Sequence, residues 1–134
     1  MIEINNLTNF AVDKKFLTGV VKIVLKGENK EKENISIAFI RKDEIKNLNK
    51  KYRKIDKATD ALAFGENPKS LSALNSLGEI VICPEVVKEN GEESAKVLIH
   101  GILHLLGYDH EKNKTEAKKM KEKEEHYLLK INRN

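Results

Sequence analysis

Apolar and polar residues alternate along short stretches of this chain, as they do in β-strands that bury one face. The clearest stretch reads Asn-Ile-Ser-Ile-Ala-Phe-Ile, with apolar side chains at positions 35, 37 and 39. Such stretches predict four strands, at Ile2–Asn5, Asn34–Ile40, Thr59–Phe64 and Gly78–Cys83.

Longer segments repeat apolar residues every three or four positions, which is the period of a helix with one buried face. The predicted helices are Val12–Leu25, Asp43–Tyr52, Pro84–Gly91, Glu92–Leu106 and a last one that starts near Asn113, with Glu116 as its capping-box partner. The segment Gly65–Leu77 lacks either period and is rich in Gly, Asn, Ser and Pro, so we predict a loop there. Strands mixed with helices that cluster late indicate one α+β domain over residues 1–134, with a small mixed β-sheet packed with helices.

Three of the four histidines lie within the predicted helix Glu92–Leu106 and just after it. His100 and His104 are one helical turn apart, so both imidazoles can reach one ion at about 2.0–2.1 Å. Gly107 suits a left-handed turn that ends the helix and lets His110 approach the same ion. This zincin-like metal frame predicts one zinc ion per chain on a central helix; nickel, cobalt and copper are not excluded by three imidazoles.

The spacing H-x3-H-x2-G-x2-H is that of the metzincin hydrolases, but Gly101 stands where their catalytic glutamate would be. The missing carboxylate argues against ordinary proteolysis, and we expect glycine to leave a gap beside the ion. A structural zinc has four protein ligands, whereas a catalytic zinc keeps one position for water. Cys83 is the candidate fourth ligand, although a small buried residue is the simpler interpretation. His126 lies in a charged helix and is expected to be solvated.

The chain has 134 residues, of which 34% are charged and 40% hydrophobic, as in a soluble globular protein. A single cysteine excludes an intrachain disulfide. No apolar run approaches the length of a membrane span, and the first residues lack the features of a signal peptide. We therefore expect a cytoplasmic protein without a membrane partner.

Positive charge is concentrated in Arg41–Lys57, which holds eight basic and three acidic residues in a chain of net charge +4. A basic patch of this kind suits a polyanion such as RNA. The competing interpretation is a lysine-rich helix face that is simply solvated, which is the commoner case.

Four segments resemble, in order, the YbeY family of bacterial rRNA maturation factors. They are His100-Gly-Ile-Leu-His-Leu-Leu-Gly-Tyr-Asp-His110, Leu48-Asn-Lys-Lys-Tyr-Arg53, Thr59-Asp-Ala-Leu-Ala-Phe64 and Gly78-Glu-Ile-Val-Ile82. Ala61 and Ala63 depart from the family's usual Val and Ser. The resemblance implies a zinc-dependent, single-strand-specific endoribonuclease that acts in ribosome quality control and at the 3′ end of 16S rRNA. Its implied partners are single-stranded RNA and the small ribosomal subunit.

The Tyr-Arg match makes Arg53 our candidate for holding phosphate or stabilising transition-state charge, because its planar fork fits phosphate oxygens. Lys50, Lys51 and Lys54 are predicted to bind RNA together with Arg53. Asp109 is the candidate catalytic carboxylate, although it could instead orient a histidine. Asp60 and Glu79 are weaker candidates, and attack by a 2′-hydroxyl would need no activated water.

Two other functions stay open at this point. A metal-dependent peptide hydrolase would use the same histidine frame, but it would lack the usual glutamate base. A non-enzymatic, ribosome-associated zinc-binding module would use the ion only to organise the turn around His110.

Overall fold

The computed structural model describes residues 1–65 and 76–132, which form four strands and five helices. The strands are β1 (Ile2–Asn6), β2 (Asn34–Phe39), β3 (Ala61–Gly65) and β4 (Ser76–Ile82). The helices are α1 (Lys14–Gly27), α2 (Lys42–Arg53), α3 (Pro84–Glu89), α4 (Ser94–Leu105) and α5 (Lys114–Asn132). The predicted α+β class is confirmed.

The strands form one mixed sheet in the order β1-β2-β4-β3. The pairs β1–β2 and β2–β4 are parallel, whereas β3 runs antiparallel to β4 and lies at an edge. Helical connections link the parallel strands, since parallel neighbours cannot be joined by a tight hairpin.

Alternate residues of β4 face two different apolar clusters. Ile80 and Ile82 are fully buried and belong to the larger cluster, which also contains residues from α1, α4 and α5. Val81 points to the opposite face of the sheet. There it belongs to the smaller cluster, together with the buried residues Ile45 of α2 and Leu62 of β3. The sheet therefore carries helices on both faces, with most of the apolar core on the side of α4.

The structure places the elements within about two residues of their predicted bounds, and the differences have local causes. Thr59 and Asp60 precede β3 because the Asp60 side chain accepts the Ala61 N–H at 2.8 Å. Strand β4 begins at Ser76, two residues earlier than predicted. Most of the predicted loop, residues 66–75, lies outside the described residues.

Helix α5 begins as the sequence indicates, because the Asn113 side chain accepts the Glu116 N–H at 2.8 Å. Its buried residues Met120, Tyr127 and Ile131 lie on one stripe. Over residues 1–65 and 76–132, no helix combines the length and apolar character that a membrane span requires.

We expect Gly78→Ala to destabilise the fold strongly. Gly78 has a φ of +132°, and an added Cβ would collide with the carbonyl oxygen of Phe64 on the neighbouring strand and lie 3.0 Å from the Cα of Gly65. The expected loss in the free energy of unfolding is about 2 kcal/mol or more, measured by urea denaturation.

Gly19→Ala is the matched control, because an added Cβ at this position in α1 would have no described atom within 4 Å beyond the adjoining residues and backbone of the helix itself. Alanine should stabilise that helix by about 0.5–1 kcal/mol. Equal stability of Gly78→Ala and the parent protein would contradict the close approach of β3 and β4.

Candidate metal centre

Two of the candidate metal ligands, His100 and His104, lie on the side of α4 that is only partly buried. Leu98, Ile102 and Leu103 are fully buried on the other side of the helix and anchor it to the core. His100 and His104 lie one turn apart and are only partly buried. The helix therefore fixes the spacing of both side chains while it leaves them accessible.

The turn after α4 has the geometry that the sequence predicted. Gly107 has a φ of +102°. Its N–H donates to the carbonyl of His104 at 3.0 Å, and the N–H of Tyr108 donates to the carbonyl of Leu103 at 3.1 Å. These two bonds define a Schellman motif, which reverses the chain and brings His110 back beside the helix.

The three histidines converge as expected for a metal site. Each of His100, His104 and His110 offers one ligand atom, and these atoms all lie within 4.8 Å of one another. Ligands of a tetrahedral zinc at 2.0–2.1 Å are roughly 3.4 Å apart, which is compatible with this upper limit. The residues present thus fit a metal ion, and three nitrogen donors suit zinc.

Glu124 of α5 contacts the first of these histidines. Its Oε1 pairs with Nδ1 of His100, which leaves Nε2 of that imidazole for an ion. Carboxylates in this position fix the tautomer of a metal-binding histidine and make it a better ligand. Glu124 is 24 residues from His100. Sequence reasoning missed it because no local pattern marks such a contact.

The electrostatics favour the metal-binding form of His104. Burial lowers the pKa of this imidazole, and the neighbouring His100 and His110 lower it further. Asp109 and the backbone at Tyr108 act in the opposite direction but are weaker. A depressed pKa keeps His104 neutral, which is the protonation state that binds metal.

Gly101 lines the open space beside the histidines, but the direction that a side chain would take is already filled, which corrects part of the predicted gap. An added Cβ at Gly101 would lie 3.1 Å from Cδ1 and 3.2 Å from Cγ2 of Ile80. The glycine therefore faces the central strand β4, and its small size permits close packing of helix on sheet.

Cys83 lies apart from the histidines. It is fully buried at the junction of β4 and α3, within the apolar cluster that includes Ile45 and Leu62. Burial raises the pKa of its thiol. Among the described residues the candidate metal group contains only the three histidines, so the structure favours the simpler interpretation of a small core residue.

The histidines line an open cleft of about 820 Å³. Helix α4 forms one wall and the edge strand β3 the other, and Arg53 at the end of α2 lies at its rim. Arg53 also borders a second cavity of about 1100 Å³, which extends along α2 away from the histidines.

The basic segment Arg41–Lys57 divides into two parts. Cations in its first part are paired: Arg41 Nε lies 3.2 Å from Glu44, and Lys42 Nζ lies 2.8 Å from Glu89. The candidate RNA-binding residues Lys50, Lys51, Arg53 and Lys54 are exposed, and within the described part of the chain none of them forms an ion pair. Their charge is available to a polyanion.

The candidate acids occupy different places. Oδ1 of Asp109 accepts the N–H of Glu111 at 2.9 Å in the turn before α5, and Asp109 is not among the residues that line the cleft. Glu79 is exposed on β4 opposite Phe64. Asp60 does line the cleft, together with Glu92, whose pKa is raised by burial and by the nearby Asp60.

Glu28, just after α1, is bonded both to the turn that precedes the third ligand and to α5. The Tyr108 hydroxyl donates to its Oε1 at 2.7 Å, while the Tyr127 hydroxyl and Lys123 Nζ donate to Oε2, the latter at 3.2 Å. Burial raises the pKa of Glu28, but these hydrogen bonds outweigh it and hold the pKa below its ordinary value. Burial, with the same bonding, raises the pKa of Tyr108 to about 12.

Comparisons with known proteins agree with one another. A family model described as endoribonuclease YbeY matches residues 3–132. An endoribonuclease YbeY from Thermosipho melanesiensis is 37% identical over 131 residues, which cover 92% of this chain and 91% of the relative. One from Aliarcobacter butzleri is 37% identical over 119 residues, covering 83% and 80%. A solution structure from Thermotoga maritima superposes with a TM-score of 0.63 at 32% identity, covering 98% of this chain and 89% of the other.

We expect Cys83→Ser to keep its bound zinc, because the thiol lies in an apolar cluster apart from the histidines. His104→Ala should lose zinc affinity by more than the roughly 10- to 100-fold typical of changes in groups that only orient ligands. Zinc content after dialysis and competition with a chromophoric chelator measure both effects.

His126→Ala is the matched histidine control, since His126 is exposed on α5 and lies outside the metal group. Its zinc content should equal that of the parent protein. Loss of zinc from Cys83→Ser with a folded protein would instead identify the thiol as a ligand.

We expect Glu28→Gln to remove a pH-dependent part of the stability. The pKa of Glu28 in the folded protein lies below its ordinary value, so the ionised carboxylate stabilises the fold above that ordinary value. This contribution disappears as pH falls through the pKa of the folded state. The difference in free energy of unfolding between parent and variant should therefore be largest near neutral pH and shrink in acid. Urea denaturation at a series of pH values measures it.

The control is Glu31→Gln, which changes the same charge at an exposed position just after α1. Its stability should follow the parent protein at every pH. If the stability difference between the parent protein and Glu28→Gln grew in acid, the inferred direction of the pKa would be contradicted.

Proposed function

The chain belongs to the endoribonuclease YbeY family, and from that membership we propose that it cleaves single-stranded RNA with one zinc ion held by His100, His104 and His110. The coarser conclusion, an RNA-cleaving nuclease, rests on the family itself. The observation that carries the finer proposal is the convergence of three imidazoles in a cleft with Arg53 at its rim.

The donor set determines what a metal could contribute here. Three neutral imidazoles leave part of the coordination sphere to substrate or water, and the buried Cys83 does not compete for it. A zinc ion bound there would supply Lewis acidity toward a phosphoryl oxygen or a bound water. Glu124 would hold His100 in the tautomer that this arrangement needs.

Arg53 is the residue we assign to the reacting phosphodiester. Its guanidinium is exposed, has no carboxylate partner among the described residues and borders the cleft that contains the histidines. A planar fork of N–H donors matches two phosphate oxygens and stabilises the negative charge that grows on them during cleavage. Lys50, Lys51 and Lys54 would add diffuse attraction to the RNA backbone.

Proton transfer is proposed to involve a carboxyl group at the cleft. Asp109 stays a candidate through its position beside His110, although the hydrogen bond to Glu111 directs one of its oxygens into the turn. The Asp60–Glu92 pair is the alternative, because both residues line the cleft and Glu92 has a raised pKa. A carboxyl group in such a position can transfer a proton to or from a reacting oxygen.

We propose rRNA processing as the cellular role, in the cytoplasm and with the small ribosomal subunit as partner. This includes maturation of the 3′ end of 16S rRNA and ribosome quality control. The proposal is supported by the eleven-residue segment His100–His110, which resembles the signature of bacterial rRNA maturation factors, and by the unpaired cations of α2.

We expect zinc-loaded protein to cleave a defined single-stranded RNA, and Arg53→Ala to lower kcat/KM by about 100-fold, because it removes one preorganised group that stabilises transition-state charge. Arg53→Lys should recover only part of the loss, since it restores charge without the fork. Gel-resolved cleavage of a labelled oligoribonucleotide provides the measurement.

Arg41→Ala is the matched control, because it removes the same charge from the other end of α2, where the side chain is paired with Glu44. Its activity should remain close to that of the parent protein. Cleavage that persists in metal-free protein would reject zinc catalysis. Cleavage of casein but not RNA would favour the peptide hydrolase, and tight binding without cleavage would favour the non-enzymatic zinc module.

A further inference from the structure

One exposed aromatic side chain lies at the mouth of the metal cleft. Tyr52 is 56% exposed at the end of α2, directly before Arg53. We propose that Tyr52, supported by Phe64, is a stacking platform for one unpaired base of the RNA substrate. This inference rests on the proposed function and specifies how the same cleft would hold its substrate.

The two rings form a defined pair. Their centroids are 5.2 Å apart and their planes are inclined at 65°, which is an edge-to-face contact. Phe64 lies on β3, is partly buried and packs against the apolar cluster that contains Leu62. The strand therefore holds one ring firmly, and the contact orients the exposed Tyr52 ring without burying it.

The pair shares one cleft with Arg53 and with the candidate metal ligands. Tyr52 and Phe64 line the same cleft as His100, His104 and His110. Lys51 Nζ lies over one face of the Tyr52 ring, 5.2 Å from its centroid, so a base must either displace this flexible side chain or use the opposite face. Lys51 and Arg53 flank Tyr52 in the sequence. If a base stacked on the Tyr52 ring, these two side chains would be available to contact the phosphates on either side of that base.

The chemistry of this rim matches a single-stranded nucleic acid. Cations along a groove combined with an accessible aromatic ring are the means by which proteins hold unpaired strands, because every base has a face that can stack. A base inside a duplex is already stacked on its neighbours and cannot offer that face. Tyr52 would therefore contribute to the preference for single strands as well as to affinity.

An uncharged apolar partner is less well matched to this position. Lys50, Lys51, Arg53 and Lys54, which form no ion pair within residues 1–65 and 76–132, flank the ring in sequence, and burying them against an apolar surface would be costly. A polyanion instead satisfies the charges and provides flat aromatic groups in one molecule.

The test compares cleavage and binding of one labelled single-stranded oligoribonucleotide. Tyr52→Ala and Tyr52→Leu should each raise KM or the dissociation constant about 5- to 100-fold, the range expected for loss of one base–aromatic stack. Tyr52→Phe should restore most of the affinity, because it keeps the ring and removes only the hydroxyl. Zinc content should be the same in all three variants.

Phe16→Ala is the matched control, since Phe16 is another exposed aromatic residue, 47% exposed, on α1 and outside the cleft. It should bind and cleave like the parent protein. In a series of abasic oligoribonucleotides, each lacking the base at a different position, one member should bind the parent protein as weakly as the complete oligoribonucleotide binds Tyr52→Ala. Tyr52→Ala should show no further loss of affinity for that member.

Failure of this inference is distinguishable from failure of the proposed function. Binding by fluorescence anisotropy needs no cleavage, so an inactive protein whose RNA affinity still depends on the ring at position 52 would reject only the nuclease activity. Parent-like KM and affinity in Tyr52→Ala would overturn the platform while leaving the nuclease intact. An equal loss in Tyr52→Phe would also overturn it, because the hydroxyl rather than the ring would then be responsible.

Discussion

The site depends first on the close packing of α4 against the central strand β4. Gly101 has no side chain, and an added Cβ would already lie 3.1 Å from Ile80. The helix can therefore lie near the sheet and bury Leu98 and Ile102 completely. Because one side of α4 is fixed in this way, His100 and His104 point to the cleft with a spacing that the helix itself sets. Two of the three candidate ligands thus owe their geometry to the core.

The third ligand is held by a separate set of contacts. The Schellman bonds at Gly107 reverse the chain, but a turn alone does not fix where the following residues lie. The Tyr108 hydroxyl bonds to Glu28, which also accepts from Tyr127 of α5. Gly27 permits this arrangement, since an added Cβ there would collide with the Tyr127 ring. Tyr108, two residues before His110, is thereby tied to the end of α1 and to α5, while the other two ligands are carried by a helix packed on the sheet.

The sequence could predict those features that depend only on residues close together in the chain. The histidine spacing, the stop at Gly107 and the apolar periods each lie within a few consecutive residues, where backbone geometry determines which side chains are neighbours. The contacts of Glu124 with His100 and of Glu28 with Tyr108 span 24 and 80 residues, so only the folded chain brings them together. The gap expected at Gly101 was only partly right for the same reason, because Ile80, which fills the side-chain direction, belongs to another element. Which cations of α2 are paired also depended on distant acids such as Glu89.

The glycine that allows the helix to approach the sheet also changes what chemistry the cleft can perform. A side chain at position 101 would run against Ile80, so this position supplies no carboxylate to the candidate ion. Charged groups must then come from other elements, and the edge of the cleft supplies them: Arg53 from α2, Glu92 before α4 and Asp60 before β3. Burial lowers the pKa of His104 and keeps that imidazole neutral, whereas the rim keeps exposed cations without ion-pair partners among the described residues. Exposed cations at the rim attract anions, and three nitrogen donors lie in the same cleft, which fits the proposed cleavage of a phosphodiester better than hydrolysis of a peptide, whose backbone carries no charge.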